Sequence, residues 1–164
     1  MMKLIKKKAL ILLSCLVASF NLYAQDYSST STGAWNSNLL VWGLITGVPG
    51  AADDVLINNP HIVTIANNES CNNLSIEGTL TIDGGDLTIN SDLELETGGT
   101  IDIQDGITVI NGNFNCNGML NITSSPTNYV ELKGELQKDG ETKWMVIDGS
   151  VRIYGDIEVY INEI

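Results

Sequence analysis

The chain has 164 residues, with twenty Asp and Glu against eight Lys and Arg, a formal net charge of −12, 43 % hydrophobic residues, sixteen Gly and three Pro. An acidic chain of this kind is repelled by nucleic-acid phosphates, so DNA and RNA are excluded as partners. Its apolar content excludes a disordered body, and its length suits one domain with a core of ordinary size.

Lys3, Lys6, Lys7 and Lys8 precede the apolar run Ala9 to Phe20 and the small-residue exit Tyr23-Ala24-Gln25. This is the pattern of a secretory signal peptide over residues 1–24, cleaved near Ala24, and it predicts a secreted or cell-surface product. The run is shorter than the roughly 20 apolar residues a membrane-spanning helix needs, so no membrane span is expected. Leu12-Leu13-Ser14-Cys15 loosely resembles a lipoprotein box, but the apolar stretch continues through Leu16-Val17-Ala18, which favours ordinary cleavage. Four of the eight basic residues precede Ala24 and all twenty acids follow it, leaving a formal −16 on the chain from Gln25.

Residues 25–50 form the next segment. From 33 to 50 it is apolar without a repeat, with Trp35, Leu39, Leu40, Trp42 and Leu44, and reads as a cap on whatever follows. Val55-Leu56-Ile57, Ile62 to Ile65 and Leu74-Ser75-Ile76 then read as three short strands. Gly78-Thr79-Leu80-Thr81-Ile82 recurs as Gly99-Thr100-Ile101-Asp102-Ile103 and again as Gly118-Met119-Leu120-Asn121-Ile122. Between these starts lie Leu87 to Asn90 with Leu93-Glu94-Leu95, then Ile107 to Asn111 with Phe114-Asn115-Cys116.

Three short alternating strands in about 20 residues, with Gly, Asn or Asp at the corners, form one coil of a solenoid. The fold expected over 51–164 is therefore all-β, a right-handed parallel β-helix of about 20 residues per coil. Alternation directs Leu80, Ile82, Leu87, Ile89, Leu93 and Leu95 inward and Thr81, Thr88 and Glu94 outward. The corner glycines are expected for their tolerance of positive φ. The alternative is an antiparallel β-sandwich, with Asp105-Gly106, Asp139-Gly140 and Asp148-Gly149 as hairpin turns. Tyr129 to Leu136, Trp144 to Ile147, Val151 to Tyr154 and Ile157 to Ile161 read as later strands. The sequence stops inside the last of them without a cap, which points to a longer parent protein or to self-association through the terminal coil.

The stretch Gly33-Ala34-Trp35, Trp42-Gly43, Val48-Pro49, Asp53-Asp54-Val55-Leu56-Ile57, His61-Ile62-Val63 and Leu74-Ser75-Ile76 resembles the opening of large secreted bacterial β-helix proteins of adhesin-like type. It is also similar to the eight-glycine domain of extracellular proteins. The resemblance covers roughly residues 33 to 123. It implies a cell-surface β-helix and a structural, capping role for Trp35, Trp42, Pro49 and Asp54, with no catalytic residue. The chain departs from the pattern at Gly43-Leu44-Ile45-Thr46-Gly47, where a more polar turn is usual, and in having no C-terminal sorting domain.

His61 is the one histidine, so no zinc or Ser-His-Asp set can be assembled, and a structural role at a strand start is expected. Asp83, Asp86, Asp102 and Asp105 fall near equivalent corners of successive coils. They are candidate calcium ligands or an acid–base pair, weighed against their ordinary use in turns. Cys71 and Cys116 lie about two coils apart, roughly 10 Å if they share a column, which exceeds the reach of a disulfide and predicts two buried free thiols. Asn111, Asn113, Asn115 and Asn117 read as an outward amide ladder. The expected function is a non-enzymatic, cofactor-free structural or adhesive module, with extracellular glycans or surface proteins as partners. The alternatives are a carbohydrate-binding module, with Trp35 or Trp42 stacking on sugars, and a fragment of a β-helix polysaccharide lyase or hydrolase.

Overall fold

The computed structural model describes residues 24–43, 47–123, 127–138, 150–155 and 157–159. Residues 1–23, Leu44, Asp139-Gly140, Asp148-Gly149 and the segment Trp144 to Ile147 lie outside the described residues.

The chain opens with β1 (Asp26–Ser28), β2 (Gly33–Ala34) and one short helical turn at Asn38–Trp42. The first full round is β3 (Asp54–Ile57), β4 (Ile62–Ile65) and β5 (Glu69–Cys71). The second is β6 (Leu74–Ile76), β7 (Thr79–Asp83) and β8 (Leu87–Ile89). The third is β9 (Leu93–Leu95), β10 (Thr100–Asp105) and β11 (Ile107–Ile110). The fourth is β12 (Phe114–Cys116), β13 (Met119–Ile122) and β14 (Tyr129–Leu132). β15 (Leu136–Lys138), β16 (Ser150–Ile153) and β17 (Ile157–Val159) follow.

Equivalent strands of successive rounds pair into three sheets. Their orders are β1-β3-β6-β9-β12-β15-β17, β2-β4-β7-β10-β13 and β5-β8-β11-β14-β16. Val55, Leu74, Leu93, Phe114, Leu136 and Ile157 stand in one column of the first sheet. The result is a parallel β-solenoid of about four turns with about 21 residues per coil. Every pairing among the described strands is parallel, which overturns the sandwich alternative. Asp105-Gly106 is accordingly no hairpin, because it turns the chain from β10 into β11 on a different sheet.

Alternation produces this architecture directly. Leu80, Ile82, Leu87, Ile89, Leu93 and Leu95 are all at most 1 % exposed, whereas Thr81 and Thr88 are half-buried and Glu94 is exposed. Each such aliphatic side chain contributes about 1.5–3 kcal/mol by leaving water. Stacking makes the contribution continuous, since inward residues of successive coils stand in register within one apolar cluster.

Three expectations are corrected in detail. Tyr129 to Leu136 is not one strand but β14 and β15 with Gly134 at the corner between them. Residues 26–34 are not purely cap, because β1 pairs with β3 and β2 with β4 as a partial coil. Finally, the positive φ expected of corner glycines holds at Gly84, Gly98 and Gly106 but not at the coil starts Gly78, Gly99 and Gly118. They are needed for close approach: a Cβ at Gly78 would collide with the carbonyl oxygens of Asn58 and His61, one at Gly99 with that of Ile76, and one at Gly118 with those of Gly99 and Glu96.

Candidate functional site

The described interior is one apolar cluster, which turns attention to the corners, the N-terminal end and the outer faces. At the corner leading into the seven-stranded sheet, polar side chains link coil to coil. Asn73 N–H donates to Asp54 Oδ1 (3.1 Å), Asp92 N–H to Asn73 Oδ1 (3.1 Å), Asn113 N–H to Asp92 Oδ1 (2.8 Å) and Glu135 N–H to Asn113 Oδ1 (3.0 Å). Each side chain satisfies a backbone donor that the turn removes from the strand ladder. A second ladder leads into the sheet that begins with β5. There Asp86 N–H donates to Asn68 Oδ1 (3.1 Å), Ile107 N–H to Asp86 Oδ1 (3.0 Å) and Gly106 N–H to Asn128 Oδ1 (3.2 Å).

These ladders account for part of the aspartate set. Asp86 holds the next coil's backbone. Asp83 and Asp105 are register partners beyond a bulge at the ends of β7 and β10. Asp102 is not at a corner: it stands mid-strand between Thr81 and Asn121 and accepts from Gln104 Nε2 (2.7 Å). Among the described residues, no three His, Cys, Asp or Glu side chains come together in a way that could hold a metal ion. Nor do the four asparagines form one ladder. Asn113 belongs to the corner ladder, Asn111 Oδ1 accepts from Lys133 Nζ (2.9 Å), and Asn115 Oδ1 accepts from Asn117 Nδ2 (3.1 Å) in its own coil.

At the N-terminal end, Trp35 and Trp42 are 1 % and 2 % exposed and meet edge to face with ring centroids 5.3 Å apart. Tyr27 packs on Trp42 in the same way at 6.1 Å. Trp42 Nε1 donates to the Trp35 carbonyl (2.6 Å) and Trp35 Nε1 to that of Pro49 (3.5 Å), so both indoles are spent internally. Buried rings cannot stack on sugars, which removes Trp35 and Trp42 from the carbohydrate-binding alternative; among the described residues the exposed aromatic ring is Tyr154, at 68 %. Leu40, in the expected cap, is 70 % exposed. Asp53 fastens this end to the coil, accepting from Gln25 N–H (2.8 Å) and Gly50 N–H (2.9 Å).

Burial opposes ionisation of Asp54, but hydrogen bonds from the Asn72 side chain and from the Asn73 backbone and side chain outweigh it. Its carboxyl lies below the ordinary range as a result. His61 Nδ1 is 2.9 Å from Ser29 Oγ, which also accepts the Asn58 N–H at 2.9 Å. Ser29 is 2 % exposed, so the Ser–His pair ties β1 to the first coil and presents no nucleophile.

Cys71 and Cys116 are both buried, on β5 and β12 of different sheets, so the shared column considered from their spacing does not exist. Burial first, then the charges of Asp54 and Asp53, push the Cys71 thiol up to about 12, an inert structural thiol. Thr108 occupies an inward position between Leu87 and Val130, and its buried hydroxyl has no hydrogen-bond partner.

The outer face of the seven-stranded sheet carries a shallow groove of about 560 Å³ near its β1 end. Leu56, Ser75 and Glu94 form its central column, with Asp26 and Asp92 at the strand starts and Glu77 at the strand ends. Burial, followed by the nearby Glu94 and Glu77 carboxylates, raises the pKa of Glu96 beside it. These acids were not singled out from the sequence, although one signal was present: residues 24–132 hold thirteen Asp and Glu and no Lys or Arg.

Comparison with family models, with curated proteins and with solved structures finds no match in any of the three.

Proposed function

We propose that this chain is an exported surface module that acts by contact, as a structural or adhesive element, without catalysing a reaction. The observation that carries this reading is the rod itself. Coils stack in register over one apolar interior, and corner side chains are committed to holding each coil to the next. A solenoid of this construction is stiff along its axis and presents long flat faces, as a spacer or contact surface requires. The signal-type N-terminus supports export, and the resemblance of residues 33–123 to secreted adhesin-like β-helix proteins supports the surface setting.

The test exposes the folded protein to an array of polysaccharides, with and without calcium, and reads both retention and newly released reducing ends. A contact module releases no reducing ends in either condition. Calcium-dependent retention on a defined glycan would move the reading to a carbohydrate-binding module, with the Asp83/Asp86/Asp102/Asp105 region as the first place to mutate. Release of reducing ends would replace it with a lyase or hydrolase.

A further inference from the structure

We propose that the groove on the outer face of the seven-stranded sheet docks a basic, extended polypeptide segment. The inference rests on the contact reading above and deepens it by naming the chemistry of a partner.

The groove has an apolar middle and an acidic margin. Leu56 and Ser75 lie at its middle, Glu94 closes one end of their column, and Asp26, Asp54, Asp92 and Glu77 flank it. The stretch that forms the groove supplies no Lys or Arg side chain, because the first basic residue after Ala24 is Lys133. Two of the four cations after Ala24 are engaged on a different sheet, and a third, Lys138, ends β15, two strands beyond β9. Lys133 donates to Asn111 Oδ1 (2.9 Å), and the Arg152 guanidinium lies 3.9 Å from the centre of the Tyr129 ring. Charge complementarity therefore selects a positively charged occupant.

Spacing selects a polymer over an ion. A metal needs several oxygens converging on one point, and no such group exists among the described residues. The carboxylates are instead distributed across strands that repeat about every 4.8 Å along the rod. A chain with several Lys or Arg side chains can meet such a row one charge at a time, laying its aliphatic stems on Leu56. The raised pKa of Glu96, caused by burial and then by its acidic neighbours, agrees with an unneutralised margin.

The experiment titrates fluorescent octalysine, octaarginine and, as control, octaglutamate into the purified protein at about 0.15 M ionic strength, with calcium titrated separately. A groove variant, Asp26→Asn/Glu77→Gln/Glu94→Gln, is compared with Asp83→Asn/Asp102→Asn/Asp105→Asn, which removes the same charge from other parts of the coil. Circular dichroism verifies that each remains folded. Three exposed ion pairs correspond to roughly tenfold weaker binding of the basic peptides by the groove variant, against less than about twofold for the other. Equal weakening by both variants overturns the proposal in favour of bulk charge. Calcium binding without peptide binding overturns it in favour of an ion site, and failure of the folded protein to bind either basic peptide overturns it outright. None of these outcomes touches the polysaccharide experiment, whose result is read without peptide.

Discussion

Gly98 and Gly99 are adjacent, yet glycine is required at each for a different reason. Gly98 has φ +95 with open space where a Cβ would stand, whereas Gly99 has ordinary φ and a carbonyl of the preceding coil in that space. Alanine at 98 should cost about 1–2 kcal/mol of left-handed strain. Alanine at 99 forces two coils apart and should cost about 2–3 kcal/mol, at the upper end of overpacking. Urea unfolding of the two variants checks the order. Thr108→Val works in the opposite direction. It replaces a buried hydroxyl without a partner by a methyl of nearly the same shape, and should stabilise by about 1–2 kcal/mol in the same assay.

At the scale of strands and corners, the side-chain ladder of Asp54, Asn73, Asp92 and Asn113 sets the coil boundaries. Asp92→Ala should cost about 1–2 kcal/mol, because the Asn113 N–H loses its acceptor, while Asp92→Asn should cost much less. Acidity separates two kinds of carboxyl. Glu96 has a folded-state pKa above its ordinary value of 4.5, so its contribution is fully favourable below that value and is lost as pH rises through the raised one. Asp54 has a folded-state pKa below its ordinary 3.8, so its contribution is present above that value and lost as pH falls through the lowered one. Stability should therefore rise on acidification from pH 7 toward about 5 and decline only below about pH 4. The rise should be smaller in Glu96→Gln, as urea midpoints across this range would show.

The strands were legible because a period of two places Leu80, Ile82, Leu87 and Ile89 on one side, and because the Gly78, Gly99 and Gly118 starts revealed the coil. The reason for those glycines was not legible, since a carbonyl of the neighbouring coil is visible only once coils are stacked. β1 and β2 were missed for a similar reason. Asp-Tyr-Ser and Gly-Ala are too short to display a period, and pairing with β3 and β4 makes them strands. The positions of Cys71 and Cys116 depended on which sheet each strand joins, which a separation in residues does not specify.

For the whole molecule, charge is the dominant asymmetry. The part of the rod without a cation carries thirteen carboxylates, so self-repulsion opposes folding there, and added salt should raise the unfolding temperature by screening it. The same repulsion keeps copies of the rod apart and favours partners of opposite charge. Export to the cell surface is the part of the proposed function on which the rest depends. The most direct measurement labels intact cells of the producing organism with an antibody against the folded rod and determines the N-terminal mass of the recovered protein. Labelling of unbroken cells, with the mature chain beginning at Gln25, is the result this account predicts. Labelling only after lysis, with residues 1–24 still attached, would contradict it.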